Sequence, residues 1–289
     1  MAEPTVFTLE NEIKTNFSGY NQLTRFYHFC LTRPNDKIFH IDFSNINWVD
    51  GNMCALLWAM IYDLYKRNKQ TFTADSDIIQ RKFDVLMRNG FLNGDSPVVD
   101  DRQSTVPIRY FNCTDKEGFC DYINNNLLTH RGMPEHLDNA FKERISEDLL
   151  EIFCNTQFHA NTLEPFFVGG QYYPTKRKLI FTMVDMGDGF LPRISRATNG
   201  AINNDLAAIA WALKGNSTKL ALEKCPGGLG LKNILKYCAE NQGVLQVVSR
   251  GGFWSSDMEN TIFEGGRVLG CPFLGTTINL MFQKNPAIF

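Results

Sequence analysis

Residues 37–43, Lys-Ile-Phe-His-Ile-Asp-Phe, read as a strand, with apolar and polar residues alternating from Phe39 to Phe43. Residues 52–68 change to helical spacing, with Leu56, Leu57, Met60, Ile61 and Leu64 on one side, and predict an amphipathic helix. Strand, loop and helix together suggest an α/β unit. Turn formers crowd residues 93–104 and again 131–134, and divide the chain there. Beyond them the spacing of Leu137, Phe141, Ile145, Leu149, Ile152 and Phe153 predicts a long helix over 136–159. Residues 166–173 and 178–184 read as two strands joined around Pro174-Thr-Lys, a hairpin. Helices over 206–213 and 231–240 and strands over 244–249, 266–269 and 276–282 complete the pattern. The second half is therefore α+β, with helices and strands that do not alternate as in a parallel βαβ array.

Length and composition narrow the classes. At 289 residues the chain is long enough for two domains, here bounded as 1–130 and 131–289. Hydrophobic residues at 44% against 21% charged supply enough apolar surface for packed cores and argue against disorder. The 29 Lys and Arg against 31 Asp and Glu leave a formal charge of −2, so no global field draws the chain to nucleic acid or an anionic membrane. Basic clusters at 66–69, 81–82 and 176–178 lack interleaved aromatics and read as solvated faces. The N-terminus carries no basic segment followed by an apolar one, and no apolar run approaches the roughly 18 residues of a membrane span. Eight cysteines show no C-x-x-C pair and no His at zinc spacing, as expected of buried thiols in a reducing compartment. A cytoplasmic protein without membrane or nucleic-acid partners is the expectation.

Four stretches carry candidate chemistry. Glu151, Asn155 and His159 recur every four residues and share one face of the long helix, either as a ligand-facing row or as a solvated stripe. An apolar strand then runs into Asp185-Met-Gly187-Asp-Gly189, where a carboxylate could accept from an exocyclic amine and the glycines admit a flat ring. An ordinary Asp/Gly turn has the same composition. Gly227-Gly228-Leu229-Gly230-Leu231 leads straight into a helix, which is a place for phosphates, but it is neither a Walker loop nor G-x-G-x-x-G. Last, Gly275-Thr276 opens the final apolar strand with a hydroxyl beside it.

In this order the four stretches resemble the GHKL superfamily, the histidine-kinase, gyrase B, Hsp90 and MutL type of ATP-binding domain. Residues 151–159 look like its N box, Asp185-x-Gly187-x-Gly189 its G1 box, Gly228-x-Gly230-Leu231 its G2 box and Gly275-Thr276 its G3 box. The successive intervals, 30 residues from Asn155 to Asp185, 43 from Asp185 to Gly228 and 47 from Gly228 to Gly275, are of the family's sort. The resemblance covers about residues 134–284. It implies a Bergerat-type α/β sandwich, a mixed sheet with helices on one face, that binds ATP and Mg²⁺. By position Asn155 would hold the metal, Asp185 the adenine amine, and Gly187 and Gly189 would make room for the base. Gly228, Leu229, Gly230 and Leu231 would line the phosphates, Thr276 the adenine network and His159 the pocket edge. Residues 199–225 would form a mobile lid. Glu151, one turn before the metal ligand, would be the catalytic base toward water or a protein hydroxyl. The style Glu-x-x-x-Asn-x-x-x-His is closest to anti-sigma-factor serine kinases and gyrase-type ATPases.

Residues 41–52 resemble, more faintly, the STAS domain of anti-sigma-factor antagonists, and imply a smaller STAS-like α/β domain ahead of the ATP-binding one. Where those antagonists carry a phosphorylatable serine this chain has Gly51, which excludes phosphoryl transfer to that position. A generic scaffold with Asp50 as a helix cap would look the same. Two functions follow as expectations: hydrolysis of Mg-ATP or transfer of its γ-phosphate to a partner serine or threonine, or a non-catalytic nucleotide-gated interaction module. Either involves ATP or ADP and a protein partner met through the N-terminal part, with a homodimer as the default assembly.

Overall fold

The computed structural model describes residues 3–92, 98–159, 163–216, 229–258 and 266–284, with backbone alone at 157–159. The chain opens with β1 (Thr5–Ile13), α1 (Phe17–Leu31), β2 (Ile38–Val49), α2 (Met53–Asn68) and β3 (Thr71–Thr73). These strands form a parallel sheet in the order β1-β2-β3. Asn16 starts α1 by accepting from the Gly19 N–H at 3.0 Å. Short helices α3 (Ser76–Lys82) and α4 (Val85–Arg88) follow.

The remaining elements are β4 (Thr105–Phe111), α5 (Lys116–Tyr122), a π-helical turn Ile123–Leu127, α6 (Asn139–His159), β5 (Phe166–Tyr173) and β6 (Lys178–Asp185). After them come α7 (Leu191–Ala197), α8 (Asp205–Leu213), α9 (Gly230–Glu240), β7 (Val244–Ser249), β8 (Gly252–Ser255), β9 (Gly266–Val268) and β10 (Thr276–Gln283). Asp138 fixes the start of α6 by accepting from the Phe141 N–H at 2.7 Å, three residues later than the apolar spacing predicts. Seven strands make one sheet, β4-β5-β6-β10-β7-β8-β9.

This sheet is antiparallel at every described pairing, which corrects the expectation of a mixed one. β6 and β7 do run the same way, but β10 lies between them and opposes both, so no parallel pair forms. β4 belongs to this sheet through its pairing with β5, so the sheet begins well before residue 131.

Strand alternation gives the sheet two buried faces. Phe166, Phe181, Leu245 and Phe282 point to one core, shared with Leu149 and Phe153 of α6 and Ile234 of α9. Phe167, Val184, Val248 and Phe253 point to the other, which they share with Phe39, Leu56 and Met60 of the N-terminal part. With both faces covered, β5 is buried at every residue and is apolar apart from Gln171.

The N-terminal face of the sheet also carries a polar row. Thr182, Asn279, Gln246 and Ser255 lie directly opposite one another on β6, β10, β7 and β8, and all four are buried. The N-terminal part supplies partners for three of them. Asn52 donates to Thr182 Oγ1 at 2.8 Å, Gln246 donates to the Thr15 carbonyl at 3.2 Å, and Asn279 donates to the Tyr20 hydroxyl. Among the described residues no helix is long and apolar enough to cross a membrane.

Candidate functional site

β6 ends at Asp185, directly opposite Thr276 at the start of β10, and Thr276 in turn faces Ser249 at the end of β7. The Asp185 carboxylate accepts from the Gly187 N–H at 2.8 Å and from Thr276. Burial pushes this carboxyl up to about 6, and the Gly187 and Thr276 hydrogen bonds oppose the rise. It is therefore largely ionised at neutral pH yet short of water, a state that burial makes costly. Gly275 makes the corner possible. At φ +111° it sits in a conformation that side chains rarely adopt, and a Cβ there would lie 2.0 Å from the Asp185 carbonyl oxygen. Gly189 also has positive φ, and Ser249 Oγ beside it accepts from the Phe190 N–H at 2.9 Å.

A second cluster joins α6 to the first turn of α9. Glu151 accepts from the Gly230 N–H at 3.0 Å, and Asp148 accepts from the Asn233 amide at 2.9 Å. The helices touch because residue 230 has no side chain: a Cβ would stand 2.9 Å from the Asp148 carbonyl oxygen and 3.2 Å from Glu151 Oε2. Burial, with Glu151 and Glu147 nearby, raises the Asp148 carboxyl to about 6, while Asn233 pulls it down. One turn beyond Glu151, Asn155 Oδ1 is buried with no hydrogen-bond partner among the described residues. Such an oxygen is open to a donor, a water or an ion.

Both clusters lie toward one end of the sheet. α9 runs back against β7, so its first turn is on the side where β7 ends at Ser249. The C-terminal end of α6 leads within six residues to β5, whose start pairs near the end of β6. The sequence-selected Glu151, Asn155 and Gly230 thus come together on the two helices, and Asp185, Gly187, Gly189 and Thr276 on the strand ends. Leu229 is the half-exposed residue preceding α9, whereas Leu231 turns into the core below it. The Gly228 and the His159 side chain fall outside the described residues.

Three participants were not selected from the sequence: Asp148, Asn233 and Ser249. Asp148 was findable, since 148, 151 and 155 follow helical spacing on one face. Asn233 and Ser249 join only through contacts between distant elements. In the segment 199–225, residues 205–213 are α8, with Leu206, Ala208, Ile209 and Leu213 buried and Asp205 accepting from the Gly251 N–H at 3.0 Å. That part of the expected lid is a packed helix, because its apolar side covers β8; residues 217–225 lie outside those described.

Gly51 is internal. Its N–H donates to Gln171 Oε1 of β5, its carbonyl accepts from Asn89 at 3.0 Å, and a Cβ would lie 2.8 Å from Val85 Cγ2. Asp50 beside it accepts from the Thr15 N–H at 2.7 Å and from Trp48 Nε1 at 2.7 Å, and α2 receives no side-chain cap from its preceding residue, Asn52.

The residues fit an adenine nucleotide with a divalent cation in three respects: the desolvated acceptor at Asp185, the orphaned Asn155 oxygen, and a helix N-terminus whose Gly230 N–H already binds a carboxylate. Among the described residues no three His, Cys, Asp or Glu side chains are grouped to hold a metal by themselves. A cation at Asn155 would therefore draw most of its ligands from phosphate and water. No protein-family model matches this chain, and no curated protein matches it.

Proposed function

We propose that this chain is a GHKL-type ATP-binding regulatory protein, a Bergerat-type nucleotide domain on the seven-stranded sheet behind a STAS-like part on the three-stranded one, that hydrolyses Mg-ATP or passes its γ-phosphate to a serine or threonine of a partner protein. One observation carries the reading: a partly desolvated carboxylate, Asp185, held by Gly187 and Thr276 at the strand ends toward which α6 and α9 converge. In this reading Asp185 accepts from the adenine amine, and Gly187 and Gly189 leave room for the ring. Gly228 to Leu231 face the phosphates and His159 borders the pocket. Asn155 holds Mg²⁺, which when bound supplies charge neutralisation at the phosphates. Glu151 takes a proton from the attacking water or hydroxyl.

Glu151 is tied to the Gly230 N–H, where an anion belongs, and that contact favours a second reading: a nucleotide-gated interaction module without turnover. In both readings a protein partner meets the N-terminal part away from Gly51, whose surroundings are inside the molecule.

Incubation of the full chain with Mg²⁺ and γ-labelled ATP tests the proposal, with Asp185→Asn and Glu151→Gln as controls. Glutamine keeps an acceptor for Gly230 but cannot act as a base. Label released by the wild type, and by neither variant, supports catalysis. Nucleotide bound with its label retained, alone and with candidate protein acceptors, supports the gated module. Release that persists in Glu151→Gln removes Glu151 as the base.

A further inference from the structure

Asp185, Thr276 and Ser249 stand side by side on β6, β10 and β7. They share the sheet face of Met183, Ile278 and Val247, which pack in the core under α6 and α9. Because β10 lies between β6 and β7, the loop that leaves β6 at Asp185 crosses the end of β10 before it reaches α7. Two of its N–H groups fasten it, Gly187 to Asp185 at 2.8 Å and Phe190 to Ser249 Oγ at 2.9 Å. Between those points Gly189 presses on the sheet: a Cβ there, at φ +73°, would lie 2.7 Å from Ser249 Oγ.

Ser249 and Thr276 are buried, and their hydroxyl oxygens lie 3.4 Å apart. On distance alone either could donate across that gap, but each has a single proton to give. The Thr276 proton goes to the Asp185 carboxylate. Ser249 is therefore the donor to Thr276, while its own oxygen accepts from the Phe190 N–H. The result is a one-way row, Phe190 N–H to Ser249 to Thr276 to Asp185, in which every proton points toward the carboxylate. Hydrogen bonds aligned in this way polarise one another, so the last one gains from those behind it.

We propose that Ser249 is a positioning residue for Asp185: it holds Thr276 in the rotamer that donates to the carboxylate, and it anchors the glycine loop over the strand ends. Its value to a ligand rests on the nucleotide reading, in which Asp185 accepts from adenine; the hydrogen-bond row itself does not. Ser249 acts through Thr276 and touches no ligand.

Carboxyl-carbon NMR of the full chain without ligand follows the Asp185 titration in Ser249→Ala, Thr276→Val and the double variant. Ser249→Ala moves the midpoint upward from about 6, and Thr276→Val moves it at least as far. The double variant matches Thr276→Val alone, because Ser249 has no other route to the carboxylate. A Ser249→Ala shift that is absent or downward overturns the proposal, and so does one that adds in full to the Thr276→Val shift, which leaves Ser249 a packing role only. Ser249→Cys, a weak donor of similar shape, takes the place of Ser249→Ala if that variant does not fold. Calorimetric titration with Mg-ADP is the second readout, with binding about tenfold weaker in Ser249→Ala and no further loss when it is added to Thr276→Val. Unchanged affinity in Ser249→Ala overturns its role toward the nucleotide. If the wild type binds no adenine nucleotide, the nucleotide reading falls, and the carboxyl titration still decides the row by itself.

Discussion

Asp185 is pulled in opposite directions, raised by burial and lowered by the Gly187 N–H and Thr276. Because its folded-state value is above the ordinary aspartate range, the folded protein keeps a proton that the unfolded chain releases between about pH 4 and 6. Stability therefore falls as pH rises through that window and the loss is complete above it. Asp185→Asn removes the ionised form, so the variant is more stable than the wild type at pH 7.5, by up to about 3 kcal/mol, and the gap closes toward pH 4. Paired melting curves across this range check it; equal pH dependence of the two proteins would contradict the assignment. If Asp185 is the adenine acceptor, the more stable variant is also the one that loses ligand, a trade common where a site keeps an unfavourable charge.

At the level of elements, α6 and α9 are held by one backbone and one side-chain contact, Gly230 to Glu151 and Asn233 to Asp148. The Asn233 amide lowers the Asp148 carboxyl, so Asn233→Ala moves its titration upward from about 6, which carboxyl-carbon NMR reads directly. A downward or absent shift would deny the contact. The helices and their shared face were legible because their apolar positions repeat locally: Leu149, Ile152 and Phe153 announce α6 and leave Glu151 and Asn155 beside them. Other elements were not. β8 is four residues beginning with Gly252, and β4 contains Pro107, so neither presents a strand-length signal. β1 shows mostly half-exposed or exposed positions because it is an edge strand, which blurs its alternation. Buried Thr182, Gln246 and Asn279 had no explanation in the sequence, since their partners Asn52, Thr15 and Tyr20 lie far away along the chain.

Over the whole molecule, the N-terminal part and the seven-stranded sheet share one core and a buried polar row rather than meeting through a solvated linker. They should unfold together. Far-UV circular dichroism and tryptophan fluorescence are predicted to give one coincident transition, and Asn52→Ala, which strips a donor from buried Thr182 and Thr15, lowers its stability by about 1–3 kcal/mol without splitting it. Two separated transitions would show the parts to be independent. The same continuity places the polar row on strands β6 and β10, whose ends carry Asp185 and Thr276. A ligand at the strand ends thus acts on strands that the N-terminal part already grips.

Calorimetric titration of the full chain with ATP, ADP and GTP in the presence of Mg²⁺, repeated on Asp185→Asn, tests the proposed nucleotide site most directly. ATP and ADP are predicted to bind one per chain, GTP at least tenfold more weakly, and the folded variant to lose the adenine nucleotides. Absence of adenine-nucleotide binding by the folded wild type, or equal affinity in Asp185→Asn, would contradict the assignment of this end of the sheet as an ATP site.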